Sequence, residues 1–309
     1  MPSYYSPLSP SKMLIITGAF LLITAGCNGQ QQAQFTQYMF NGLVINPAYA
    51  GADGALSITA LTRSQWVGVD GAPVTQTLTA HAPAGSHTGL GLAIINDKIG
   101  IHKNLTLNAS YSYRLLITKT SWLSMGLQTG IDNNKSDYAS LTTKPGDPNQ
   151  FQNSSSTFFN FGAGMYFNSS RLQIGFSIPN MIPGKVSLQD TVGINLNPLH
   201  CFLFSRYRIT VNQSVKLEPA FLIKYVANNP FSFDLNVNMI VHDVFTAGLS
   251  YRKSESLDFL CKLKLTPQLS SGFAYDFPIG KTTSLRSSGT YELMVNYAFK
   301  FNHKSVSPR

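Results

Sequence analysis

From Ser57 onward the chain alternates apolar and polar residues, and that period of two limits what it can become. In "NLTLNASYSYRL", Leu105, Leu107, Ala109, Tyr111, Tyr113 and Leu115 share one face, while Asn104, Thr106, Asn108, Ser110, Ser112 and Arg114 share the other. Phe231, Phe233, Leu235, Val237 and Met239 stand likewise against Ser232, Asp234, Asn236 and Asn238. Near the end, Tyr291, Leu293, Val295, Tyr297, Phe299 and Phe301 stand against Glu292, Asn296 and Lys300. Helical spacing fits these windows badly, so they read as half-buried strands. About fourteen windows begin near residues 57, 73, 87, 104, 120, 156, 171, 200, 214, 230, 244, 256, 268 and 290. Most span about 9 to 12 residues, longer than the usual soluble strand of about 5 to 6 and matched to a tilted membrane strand.

Two architectures carry such a pattern. A soluble sandwich or propeller buries the apolar face against a second sheet. A transmembrane barrel presents it to lipid and keeps the polar face in the lumen. Loop lengths favour the barrel. Connections after even strands are short ("PAGSH", "ITKT", "NSS", "NQ", "HD", "TPQ"), whereas Asp132 to Ser155, Pro179 to Pro198 and Pro278 to Gly289 follow odd strands; "ANNP" after the ninth is a brief exception. Short turns on one side, long loops on the other and an even strand count describe an outer-membrane barrel with both termini periplasmic. The fold class expected is therefore all-β, an antiparallel transmembrane barrel of about fourteen strands. Tyr251, Phe277, Phe299 and Phe301 sit near strand ends, where aromatic girdles form.

Charged residues make up only 12% of the chain, and the net charge of +9 comes from scattered Lys and Arg with no run of five. That dispersion lacks the concentrated patch nucleic acid requires. At the N-terminus Lys12 precedes the apolar run "MLIITGAFLLITAG", after which "CNGQQQAQ" turns polar. This is the pattern of an export signal, too short for a membrane span. "TAGC" at Thr24 to Cys27 admits lipidation at Cys27, with ordinary cleavage near Gly26 to Gln30 as the alternative. The organisation expected is an export signal over 1–27, a periplasmic or plug segment over 28–56, the barrel over 57–302 and a periplasmic tail over 303–309. Cys201 and Cys261 fall on apolar strand faces as separate thiols, unlike a disulfide framework or a metal site.

Three ordered stretches carry a family likeness: "QYMFNGLVINPAYAG" (Gln37 to Gly51), "RSQWVGVDGAPVTQ" (Arg63 to Gln76) and "GLGLAIINDKIG" (Gly89 to Gly100). With "YSY" at Tyr111 to Tyr113, "GDPNQF" at Gly146 to Phe151 and the closing "YELMVNYAFKFN", the chain resembles the PorP/SprF family over nearly its whole mature length. The matching positions are Tyr38, Phe40, Asn41, Asn46, Pro47, Ala48, Tyr49, Gly51, Arg63, Gln65, Trp66, Gly89, Gly91, Asn96, Asp97 and Gly100. The resemblance implies an outer-membrane barrel beside the type IX secretion system and gliding machinery, without cofactor or metal. It also implies partners: outer-membrane lipid, the periplasmic ring and peptidoglycan-binding components, and the C-terminal domains of secreted adhesins. Family signal peptides usually end in an Ala-x-Ala-like site, so Cys27 is a departure.

Apolar Phe35, Tyr38, Met39, Leu43 and Val44 suggest a short helix over Phe35 to Ile45, ended by Asn46-Pro47. That helix would plug the periplasmic mouth, with Ala48, Tyr49 and Gly51 leading into the first strand; the plainer alternative is a strap along the wall. Arg63, Gln65 and Arg114 would point into the lumen and pair with Asp97 or Glu218, a network that usually rigidifies the wall. Trp66, opposite in face to Arg63, reads as an interfacial anchor. The loops 132–155 and 179–198 are candidate partner surfaces. His81, His87, His102, His200, His242 and His303 are dispersed, with no His-Glu-x-x-His and no nucleophile elbow, and "GLGLAI" lacks the third Gly of a nucleotide loop. Asp70 lies near His81 in sequence without completing a catalytic set. An adhesin-serving docking barrel is thus the expectation, and a porin-like channel for small solutes or lipids the alternative.

Overall fold

The computed structural model describes residues 34–140, 153–182, 185–188, 192–195, 199–227, 230–280 and 287–299. Fourteen strands form the wall: β1 Leu56–Ser64, β2 Val74–Pro83, β3 Thr88–Ile99, β4 His102–Thr118, β5 Ser121–Ser136, β6 Ser154–Asn168, β7 Leu172–Ile178, β8 His200–Tyr207, β9 Val215–Val226, β10 Ser232–Val241, β11 Phe245–Arg252, β12 Ser256–Lys264, β13 Leu269–Pro278 and β14 Thr290–Phe299. Each begins within two residues of its sequence window. Neighbours pair antiparallel in chain order, and β1 closes on β14 from Leu56↔Phe299 to Ser64↔Tyr291. Closure of the first strand on the last removes the two terminal sheet edges, which lipid would not tolerate. Past Arg208, β8 resumes as Ile209–Thr210 against β9. A separate hairpin, Lys185–Leu188 with Val192–Asn195, pairs only with itself.

The direction of burial separates barrel from sandwich. On β10, Leu235 and Val237 are 52% and 53% exposed, whereas Asp234 and Asn238 are 1% and 0% exposed. A soluble sheet would reverse that order, because apolar surface left in water costs about 25 cal/mol per Å². The apolar face therefore meets lipid and the polar face lines the interior. Cys201 and Cys261 both lie on outward faces, unpaired. Among the described residues no helix is long and apolar enough to cross a membrane; the chain crosses with strands.

Loop asymmetry places the β1–β2, β5–β6, β7–β8 and β13–β14 connections at one rim, the outer one by the rule that outer-membrane barrels carry their longer loops outside. The β3–β4 turn at the same rim has only Gly100 and Ile101 between strands. The export signal with Cys27, "GDPNQF", Lys300, Phe301 and His303 lie outside the described residues, as do parts of the two candidate partner loops.

Candidate functional site: a lumen filled by the N-terminal segment

Residues 34 to 50 run inside the barrel. No α-helix forms over Phe35 to Ile45; the segment makes three single 3-10 turns, Tyr38–Phe40, Gly42–Val44 and Pro47–Tyr49. Gly42, Asn41 and Asn46 disfavour helix continuation, and close seats on the wall fix the backbone between them. Glu292 on β14 accepts from the Thr36 and Gln37 N–H groups at 2.9 and 2.8 Å and so anchors the start of the segment. The Asn46 side chain caps the last turn by accepting from Ala48 N at 2.9 Å, with Pro47 at its first position.

The seat is built from wall glycines. A Cβ at Gly91 would lie 2.9 Å from Leu43, and Cβ atoms at Gly89, Gly126 and Gly164 would strike Ala50, the Ala48 backbone and the Asn46 side chain. Neighbouring hydroxyls and amides then hold the segment's own polar groups. Ser177 donates to Ile45 O at 2.5 Å, Ser112 to Ala50 O at 2.8 Å, Arg114 to Gly51 O at 2.8 Å, and Asn46 to Met165 O at 2.9 Å. Gly51 N donates to His81 Nδ1 at 3.2 Å, and Thr79 to Asn41 at 3.0 Å. Tyr49 packs on Tyr166 and His81, Tyr38 meets Phe204 edge-on, and Phe40 lies under Lys262. Burial, reinforced by the Asp234 charge, raises the Tyr38 phenol above its ordinary range, so it stays neutral. Two voids beside the segment, about 20 and 40 Å³, leave room for a few waters.

Toward the outer half a charged cluster clasps the start of the segment. Arg63, 1% exposed, donates to Asp276 at 2.7 Å, to Glu292 at 2.9 Å and to Thr36 Oγ1 at 2.9 Å. Thr36 in turn donates to Asp276 at 2.8 Å. Arg252 links Asp276 (3.5 Å), Asp234 (3.4 Å) and Asp258 (3.9 Å), and Lys224 pairs with Asp234 at 2.9 Å while donating to Gln34 at 3.0 Å. Cations and carboxylates alternate, so each buried charge has an opposite neighbour.

The sequence reading pairs Arg63 with Asp97 or Glu218; both pairings are wrong. Asp97 instead accepts from Thr75 at 2.5 Å, and Glu218 pairs with Arg208 at 2.5 Å and Arg206 at 3.5 Å. Strand register decides this, since it sets Arg63 opposite Glu292 and two strands from Asp276, across β14. Arg114 reaches the Gly51 carbonyl and lies 4.2 Å over the Trp122 ring. Gln65 lies past the end of β1, its N–H donating to Pro73 O at 2.9 Å, and takes no part in the cluster. Trp66, 41% exposed with φ of 47°, sits in the same rim loop, donating to Thr290 Oγ1 at 3.2 Å. Gly100 closes the rim by donating to Gly71 O at 2.9 Å, and Asn96 donates to Gln76 at 3.4 Å. Asp234, Asp258, Asp276, Glu292, Arg252, Lys224 and Thr36 are the members the sequence reading missed. Their signal was inward parity on consecutive strands, visible at Asp234 and Glu292.

Solved structures with this shape include a channel and a transporter. The CymD monoaromatic hydrocarbon channel matches over 89% of this chain and 96% of its own, at 10% identity and a TM-score of 0.51. The toluene transporter TbuX of Ralstonia pickettii matches over 84% and 93%, at 11% identity and a TM-score of 0.52. At these identities the likeness shows the fold, a closed outer-membrane barrel. No curated protein matches the sequence. The family model for the type IX secretion system membrane protein PorP/SprF matches residues 27–297, and so the chain belongs to the PorP/SprF family of the bacterial outer membrane.

Proposed function

We propose that this barrel is a closed docking protein of the type IX secretion system, supporting export or surface attachment of secreted adhesins rather than conducting solutes. The observation that carries the reading is the lumen itself. Residues 35 to 50 are seated on glycines of β3, β5 and β6 and clasped by Arg63 and Glu292. A transport path would have to unseat them. Family membership supplies the setting; the partners proposed for it are the periplasmic ring, the peptidoglycan-binding component and adhesin C-terminal domains. The test tags the C-terminus, purifies the protein in mild detergent from its own outer membrane and identifies what co-purifies, with bilayer conductance measured on the same material. An adhesin or ring component with no conductance supports docking. A partner-free barrel that conducts with residues 31 to 50 intact would favour a channel for small solutes or lipids and defeat the proposal.

A further inference from the structure

Among the described residues one seam of the wall is open. β6 and β7 pair only from Ala163↔Ile178 to Asn168↔Gln173, and one further bond follows, Met181 N to Phe161 O at 2.8 Å. Beyond Ile178 the chain turns inward. Pro179 O accepts from Gln128 at 3.3 Å and lies over Gly162, both on inner faces of the wall. Ser154 to Asn160 therefore pair with β5 on one side, Ser154↔Ser136 to Asn160↔Gly130 without a register break, and among the described residues find no ladder partner on the other, where Ile182 N reaches only the Asn160 side chain at 3.5 Å. Because Phe161 O points toward β7 and backbone groups alternate sides, Ser155, Thr157 and Phe159 turn both N–H and C=O to the open side.

Natural edges are blunted by Lys, Pro, bulges or a cover. The stretch "SSSTFFN" has no Lys, no Pro and no bulge, and the outer hairpin pairs with itself. Phe159, 66% exposed, stands outward beside this edge. Lys98, Lys103 and Lys135 face one another across β3, β4 and β5, and Ser155 is next in that row. All three lysines are exposed and make no ion pair among the described residues. Like charges directly opposite in a sheet repel, so the row lacks a counter-charge.

Resting on the docking reading above, we propose that the outer edge of β6, Ser154 to Asn160, is where the partner binds. An extended segment of a partner protein adds to it as a further strand through main-chain hydrogen bonds. An acidic residue of that segment lies beside Ser155, whose short side chain lets the Lys135 ammonium reach across. Apolar partner side chains cover Phe159.

The experiment places a photo-crosslinking residue at Ser155 in the full chain in its own outer membrane. It is paired with the double variant Thr157→Pro/Phe159→Pro. Each proline removes an N–H aimed at the open side and spares the β5 ladder. Expected are a crosslink mapping to one extended, acid-containing segment of a co-purifying protein, and about a tenfold loss of that protein in the proline variant, as two lost main-chain bonds imply. Heat-modifiable migration of the barrel should stay unchanged, and Lys135→Glu should lower partner recovery where Lys135→Arg does not. A proline variant that keeps its partner at wild-type level overturns the edge assignment and leaves docking intact. A crosslink to this chain or to lipopolysaccharide overturns it too. Wild-type protein recovered without any partner would instead sink the docking reading, and this proposal with it.

Discussion

Replacing Arg63 with Ala isolates what holds the N-terminal segment in the lumen. The guanidinium is 1% exposed and donates to Asp276, Glu292 and Thr36, so its removal strands two carboxylates that are themselves buried. Breaking a buried pair from one side costs about 3–5 kcal/mol. Two features offset part of that: Arg252 still lies 3.5 Å from Asp276, and Glu292 keeps the Thr36 and Gln37 N–H groups. The low end, about 3 kcal/mol, is therefore the expected loss. The wall is held by fourteen paired strands, so the weaker element yields first, and the segment opens more than about 100-fold more often. The assay is thiol labelling of a cysteine placed at Ala48, 0% exposed in the closed form and outside the clasp, alongside bilayer conductance. Arg63→Ala should label about two orders of magnitude faster and show intermittent conductance. Arg63→Met with Asp276→Asn and Glu292→Gln, which leaves no stranded charge, should regain most of the closure. Unchanged labelling in Arg63→Ala would refute the clasp, and so would a triple variant more open than the single one.

Gly126→Val forces a side chain into the Ala48 backbone and should unseat the segment by about 1–3 kcal/mol, read as conductance in an inserted barrel; Leu127→Ile on the outward face of the same strand, 65% exposed, tests whether the effect is local. In the β10–β11 turn the Lys216 ammonium, 2.6 Å away, holds the Asp243 carboxyl below its ordinary range. A depressed folded-state value stabilises above the ordinary carboxylate range and is lost as pH falls through the depressed one, so Asp243→Asn should destabilise slightly at pH 7, by less than about 0.5 kcal/mol given its exposure, and not in strong acid. Cys201 and Cys261 face outward among lipid-contacting side chains, so lipid-soluble maleimides should label both in membranes while impermeant ones label neither. Replacing residues 137–153 with a short turn should spare insertion; wild-type adhesin display by that variant would remove this loop from the partner surface.

Strand number, order and facing were legible because each rests on a local rule. A side chain's face follows from its parity, so Leu235 and Asp234 could be sent to opposite sides without knowing what lay beyond either. Loop lengths then settled which side was lipid. The segment "FNGLVINPAYAG" was legible only as something that must turn at Asn46-Pro47. Its apolar spacing suggested a helix, but the tight glycine seats that shape its backbone instead come from strands scattered along the chain.

What the sequence determined by itself was a barrel of alternating strands with a polar interior, since period and length need no partner to be read. The tertiary structure alone decided which charges meet and where the wall stays open. Arg63 finds Glu292 rather than Glu218 because closure brings the first strand against the last, 229 positions away. Among the described residues the outer part of β6 has no β7 partner, because Pro179 turns inward over Gly162. Both outcomes depend on contacts between residues distant in sequence, and pattern along one chain carries no record of distance across it.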